Sequence, residues 1–512
     1  MSSAAASGPA LPAQGAPTAP SKISPKTTTH SATTMGMLST ALQATFRHLT
    51  AGPPAPTWPV FLSVIMAVMR WRSVSLVRAR QINPPKSHDE VVHIAKEQRD
   101  ATEKLIATPA DKVQDGIVKE VQFAVKKRGL EGVLAELDAE ETGQRTLTAE
   151  WLSHVSLVRA PQLARTDKVI LSLHGGAHVR MSPSTHRAVH VALSDATRCR
   201  IFSLDYRLSP EVRYPASLLD AVNAYLYLTD ELEIPASNIL VEGDSAGGNL
   251  CIALMMYLRD TKLPQVGGAI LLSPWVDLST SFKSWDENKG NDYLVIDNHA
   301  DPLHPPRLYL SSSLPELEQS HHVDQLSAPY VSPALGPLDS LSNLPPLLVQ
   351  SGGLECLRDE ITVFVRRARK AGTDVTHQAW TDGIHVFHAL QATLSGASAM
   401  REVTSWVERL FPPSSASTSA SSPAPAWAQR VDALLRAERD ARLARAGPVP
   451  PAKAPSTVWA YERSVERMPR VEVKREGIEA ARTAAHEAEE VEGEMGLTEV
   501  FRPKRVGGGW FS

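Results

Sequence analysis

The chain predicts an α/β fold with a mostly parallel central sheet, and three observations lead there. Short apolar runs of strand length alternate with segments of helical periodicity through the middle of the 512-residue chain. One such run, Asn238 to Glu242, passes through a glycine-serine turn straight into a helical segment. The flanks are different in kind, rich in Ser, Ala, Thr and Pro at the N-terminus and in Ser, Pro and charge at the C-terminus.

In chain order, residues 1 to about 35 lack an apolar period, and 1–57 reads as a disordered extension with no secretory apolar region. No Asp or Glu precedes Asp89, and Met35 to Arg47 is Ser-rich and acid-poor, so a mitochondrial transit peptide stands beside the generic tail as a reading. Pro59 to Met69, bracketed by Trp58 and by Arg70 with Arg72, is the most apolar stretch of this end. It falls short of the ~20 apolar residues that cross a bilayer. Two readings stay open for 58–110, a cap over a site or helices lying in a membrane interface.

A catalytic α/β domain is expected over 111–411. Its strands are Lys168 to Leu173, Arg200 to Leu204, Asn238 to Glu242, Gly268 to Ser273, Leu347 to Gln350 and Val375 to Trp380, and its helices include Ala216 to Leu228 and Leu250 to Leu258. Between Val276 and Leu344 periodicity is lost, and so long a loop in a compact domain reads as a functional excursion contributing to a cap and an acyl pocket. Pro412 to Pro423 is a linker by composition. Beyond it, 412–512 reads as a charged, partly helical tail with helices at Trp427 to Arg445 and from Glu476 to about Glu492, solvated unless a partner or membrane covers them.

The residues that carry chemistry lie at strand ends. Gly243-Asp-Ser-Ala-Gly247 fits G-x-S-x-G, a turn whose glycines let a helix pass close to the strand and lift the Ser245 hydroxyl at the sheet end. His174-Gly-Gly-Ala177 follows the first of those strands, where a glycine turn can aim N–H donors at a developing oxyanion. Gly176 and Ala177 are the donors expected from this loop, with Gly175 a third, and Ala246 should oppose them. His385 follows an Asp-Gly turn after the last strand, where a general base can reach Ser245. The carboxylates Glu355, Asp359 and Glu360 lie just past another strand end.

Other histidines read as structural. His377 and His388 lie in predicted elements, whereas His178 follows the oxyanion loop and is expected to line the mouth of a substrate pocket. Asp382 reads as a turn former with Gly383. His321 and His322 lack a carboxylate or cysteine cluster at ligand spacing, so no metal site is expected. A net charge of -3 gives no case for nucleic-acid binding. Cys199, Cys251 and Cys356 are widely spaced and read as reduced thiols of an intracellular protein, cytoplasmic or membrane-associated.

Over roughly residues 165 to 410 the chain resembles the hormone-sensitive lipase family of α/β-hydrolases. The resemblance rests on His174-Gly-Gly-Ala177, Asp205-Tyr-Arg-Leu-Ser-Pro-Glu211 with Tyr214-Pro-Ala216 and Asp220, Gly243 to Gly247, Ser273-Pro-Trp275, Glu355 to Glu360 and Gly383-Ile-His-Val-Phe387. It implies an α/β-hydrolase fold with a helical N-terminal cap and a triad of Ser245, an acid and His385. It also implies ester hydrolysis through an acyl-enzyme without metal or cofactor. Two departures bear on that: Ala177 replaces the third glycine, and Glu355 occupies the usual aspartate position, with Asp359 as its rival. The expected substrates are short or medium acyl esters of a hydrophobic alcohol. The alternatives are a membrane-surface lipid or steryl ester deacetylase or lipase, and a non-catalytic small-ligand receptor on a hydrolase scaffold.

Overall fold

Strands β1 (Gly116–Ala124), β2 (Thr146–His154), β3 (Val169–Leu173), β4 (Arg200–Asp205) and β5 (Ile239–Asp244) form one half of a sheet. The other half is β6 (Gly268–Leu272), β7 (Leu347–Gly352), β8 (Val375–Trp380), β9 (Trp459–Arg467) and β10 (Leu497–Arg505). Their order is β1-β2-β4-β3-β5-β6-β7-β8-β10-β9. Neighbours from β4 through β10 run parallel, while the pairs β1–β2, β2–β4 and β9–β10 are antiparallel. This computed structural model describes residues 28–159, 165, 167–296, 299–310, 323–390, 393–412, 424–446, 459–491 and 493–505.

Every residue of β3 and of β5 is buried, which is why neither strand shows an apolar/polar alternation, Val169–Leu173 being broken only by Ser172 and β5 opening on Ile239, Leu240 and Val241. Helices cover both faces. On one side lie α4 (Pro183–Thr197) and, late in the chain, a helix over Leu394–Leu410; Val189, Val403 and Trp406 join Ile170, Ile201 and Leu240 in one apolar cluster there. On the other side α5 (Ala216–Leu226), α6 (Ala246–Asp260) and α7 (Arg358–Lys370) pack on Leu171, Phe202 and Val241. Local chemistry sets the entry to α4: Ser182 caps it, with Pro183 at the first helical position where a missing N–H costs nothing.

The flanks depart from expectation. Within the stretch expected to be disordered, Thr28–Ala51 is a helix, α1. It pairs antiparallel with α2 (Val60–Ile82), for His48 Nδ1 meets Ser63 Oγ at 2.8 Å and Gly36 lies against the Trp71 ring. The apolar run expected to be too short is continued by α2 to 23 residues, long and apolar enough to cross a membrane by length and composition. A third helix, α3 (His88–Ile106), begins at the cap Ser87, whose side chain accepts from the Glu90 N–H.

The C-terminal segment is likewise not a detached tail. Its second strand, β10, adds to the sheet edge in register with β8, Phe501 opposite Trp380. The helix Ala426–Ala446 buries Trp427, Val431 and Leu435 in the main core. Its Asp432 receives both arms of Arg200 at 2.8 and 2.7 Å. Arg442 donates to the carbonyls of Gly116 and Val113 at 2.8 and 2.7 Å. The helix Glu479–Glu489 packs its alanines against the same core. The catalytic sheet therefore extends past the expected boundary at residue 411, because the segment supplies edge strands and buried ion-pair partners that composition alone does not reveal.

Candidate active site

The elbow between β5 and α6 holds Ser245 at φ +52 and ψ -120, a conformation that an L-residue adopts only when its surroundings enforce it. Close packing does so here. A Cβ on Gly247 would lie 1.8 Å from the Leu173 carbonyl oxygen, and one on Gly243 would lie 2.5 Å from the Gly247 carbonyl. Both glycines are thus needed to bring the end of β3 against the start of α6. The Ser245 carbonyl accepts from Trp275 N–H at 2.9 Å and from Asn249 N–H at 3.1 Å, fixing the turn from two sides.

The turn after β3 is tied to this elbow by Asp244, whose Oδ1 accepts the Gly175 N–H at 2.9 Å and meets His186 Nε2 at 3.0 Å. Burial on its own would raise the pKa of Asp244, but His186 and the Gly175 N–H bring it down to about 2. Gly175 is therefore corrected as an oxyanion donor, since its N–H already serves the carboxylate. The N–H groups of Gly176, Ala177 and Ala246 donate to no protein acceptor among the described residues. Gly176 has φ +113, and a Cβ there would lie 2.0 Å from the Arg180 carbonyl oxygen. Ala177 keeps φ +57 despite its methyl group, and Tyr206 braces the loop by donating to the His174 carbonyl at 2.6 Å.

His385 Nε2 lies 2.9 Å from Ser245 Oγ, and its Nδ1 lies 3.1 Å from Glu355 Oε2. The other oxygen of Glu355 accepts the Gly352 N–H at 2.7 Å, so strand β7 orients the carboxylate. It is Glu355 that meets the imidazole. Asp359 instead accepts the Ser284 N–H at 3.0 Å and Arg358 Nε at 2.8 Å. Burial disfavours a charged His385, yet the hydrogen bond to Glu355 and the nearby Asp292 and Asp244 charges outweigh it and raise its pKa.

The remaining histidines are placed apart from this relay. His178 is buried and stacked on Tyr309 with ring centroids 4.0 Å apart, not at an open pocket mouth, and burial lowers its pKa to about 3. His377 lies between Ser351 Oγ at 2.9 Å and Thr498 Oγ1 at 2.8 Å, and His388 is buried. His321 and His322 fall outside the described residues. No group of three or more His, Cys, Asp or Glu side chains is gathered for a metal ion among the described residues.

Asp292 is not singled out in the sequence, and Asp382 reads there only as a turn former. Asp292, from the aperiodic excursion, accepts the Cys356 N–H at 2.8 Å beside the Glu355 loop; nothing in its neighbours signals that. Asp382 is more than a turn residue. Its carboxylate accepts the Tyr461 hydroxyl at 2.6 Å and the Thr57 hydroxyl, and its carbonyl accepts Trp58 Nε1 at 3.0 Å. One residue, three before His385, thus joins the N-terminal and C-terminal segments to the histidine loop.

A sheet of this order with a serine elbow joined to a histidine and a carboxylate defines an α/β-hydrolase. Residues 170–389 match the alpha/beta hydrolase fold family. An acetyl-hydrolase of Streptomyces hygroscopicus is 36% identical over 242 residues, spanning 47% of this chain and 72% of that protein. An esterase of Acinetobacter venetianus is 32% identical over 220 residues, 43% of this chain and 67% of the relative. The crystal structure of EstE5 soaked in ethyl alcohol aligns at a TM-score of 0.50 and 28% identity, covering 66% of this chain and 98% of that one. The chain belongs to the hormone-sensitive lipase family of α/β-hydrolases and is a carboxylic ester hydrolase.

Proposed function

We propose that the chain hydrolyses short or medium acyl esters of a hydrophobic alcohol through an acyl-enzyme on Ser245. The observation that carries this reading is the continuous relay Ser245–His385–Glu355 beside three free N–H groups. In it, Ser245 Oγ attacks the ester carbonyl while its proton passes to His385 Nε2, and Glu355 steadies the imidazolium through Nδ1. The N–H groups of Gly176, Ala177 and Ala246 receive the oxyanion. His385 then protonates the departing alkoxide, leaving Ser245 acylated. A water molecule, deprotonated by the same nitrogen, releases the carboxylic acid and restores the hydroxyl.

The short acyl preference is supported by the Ala177 methyl group at the third loop position, which takes up space beside the oxyanion, and by the name of the Streptomyces relative. An intracellular location is supported by the wide spacing and burial of Cys199, Cys251 and Cys356. The test has two parts. A fluorophosphonate probe should label the wild type and not Ser245→Ala, whose kcat should fall by about 10⁶-fold with the melting temperature unchanged. Turnover across p-nitrophenyl esters of graded length should peak at short to medium chains; labelling that persists in the variant overturns the nucleophile, and a maximum at long chains overturns the acyl preference.

A further inference from the structure

The α1–α2 hairpin carries an apolar face that the protein itself does not cover. On α1, Met35, Leu38, Leu42, Phe46 and Leu49 recur every three or four residues, and each is between 61% and 74% exposed. On α2, Phe61, Ile65, Met69 and Leu76 form a second exposed stripe, with exposed Arg72 between Met69 and Leu76. Soluble monomers scatter such side chains singly, whereas here nine are collected on two adjoining helices.

The charge on these helices is one-sided. Together α1 and α2 carry five arginines and no Asp or Glu. Two of the five are engaged with the catalytic domain: Arg70 donates to the Leu294 carbonyl at 3.1 Å, and Arg80 pairs with Asp301 through Nε at 2.8 Å. Arg47, Arg72 and Arg78 are exposed. A second copy seated on this face would bring arginines against arginines with no acid on either helix to offset them. An anionic lipid surface supplies both an apolar phase and the opposite charge.

We infer that the α1–α2 hairpin docks the enzyme on anionic phospholipid membranes, lying in the interface and not spanning it. Three anchors fix that posture. Trp58 before α2 is bonded to the Asp382 carbonyl, Arg70 to the Leu294 carbonyl and Arg80 to Asp301, so the inner side of α2 is held to the catalytic domain along its length. Leu62 and Met66 are buried with Trp380, Ile384 and Phe387. A spanning α2 would strip all these contacts; an interfacial one keeps them and buries the outer stripes. The same anchors set the hairpin on the side of the molecule that bears the His385 loop, since Tyr293, next to Leu294, has its ring 5.8 Å from that of His385. Docking therefore presents the site to ester substrates dissolved in the lipid, a consequence that rests on the proposed hydrolysis, whereas the docking itself does not.

The test uses the full chain with vesicles of phosphatidylcholine, alone or with phosphatidylserine. The wild type should co-sediment with the mixed vesicles, several-fold less at high salt. The double variant Leu42→Glu/Phe46→Glu should lose at least tenfold in vesicle binding while retaining its circular dichroism spectrum and its turnover of a water-soluble ester. Ser245→Ala should bind vesicles like the wild type, which separates failure of docking from failure of the nucleophile. Wild type that stays in the supernatant, or a double variant that binds undiminished, overturns the inference. So does a wild-type dimer in solution that the double variant dissociates, which would assign the face to a second copy. Resistance of bound protein to alkaline carbonate would overturn the interfacial posture in favour of a span.

Discussion

The region from β3 to the His385 loop and the segments flanking it are held together by contacts of different reach. In the central region part of the geometry is local: Gly243 packs on Gly247 across the elbow, and Glu355 is oriented by Gly352 only three residues away. The flanks are held by partners 102 to 325 residues apart, Arg200 with Asp432, Thr57 with Asp382, Arg366 with the Met468 carbonyl. A turn whose shape is set by its own residues survives wide variation around it. A site whose histidine loop is bolted to both flanks depends on them as well, and the two kinds of dependence can be separated by experiment.

Within the central region, after the nucleophile itself, the largest effect should come from the acid. Replacing the carboxylate but keeping its shape, Glu355→Gln should lower kcat about 10⁴-fold, the scale seen when a triad acid is neutralised. Asp359→Asn, whose carboxylate faces Ser284 and Arg358, should stay within about tenfold of wild type and lose stability instead. A reversed ranking breaks the assignment. The pH profile sharpens it: catalysis needs neutral His385, and because the surrounding acids raise its pKa, kcat/KM should fall on the acid side with a midpoint above the ordinary ~6.5. Glu355→Gln should move that midpoint down.

The flanking region is challenged next through Asp432. Arg200 is almost wholly buried, so Asp432→Ala strands its charge and should cost about 3–5 kcal/mol in denaturant unfolding. A cost below about 1 kcal/mol would return the C-terminal helix to the status of an accessory. The smallest effect should follow Tyr461→Phe, which removes one hydrogen bond to Asp382 and leaves the ring. A loss of about 1 kcal/mol at the histidine loop is expected, read as a roughly fivefold fall in kcat with KM unchanged. An unchanged kcat would free the site from its C-terminal support.

Ordered beside the structure, the sequence determined the parallel sheet, the serine elbow, the loop after β3 and the presence of His385, because each is written in neighbouring residues whose spacing sets a turn or a strand. It favoured Glu355 over Asp359 as the acid by its place in the motif, but both carboxylates lie past the same strand and only packing aims the Glu355 carboxylate at the imidazole. It offered Gly175 as an oxyanion donor, and the structure assigned that N–H to Asp244, a pairing across 69 residues that no local pattern encodes. The tail read as solvated because β9 and the helix Ala426–Ala446 are rich in charge; tertiary structure pairs those charges with Arg200 and the sheet edge. What lies within a turn is fixed by sterics that the residues carry with them. What joins distant segments is fixed by which buried donors and charges still need a partner once the core has closed.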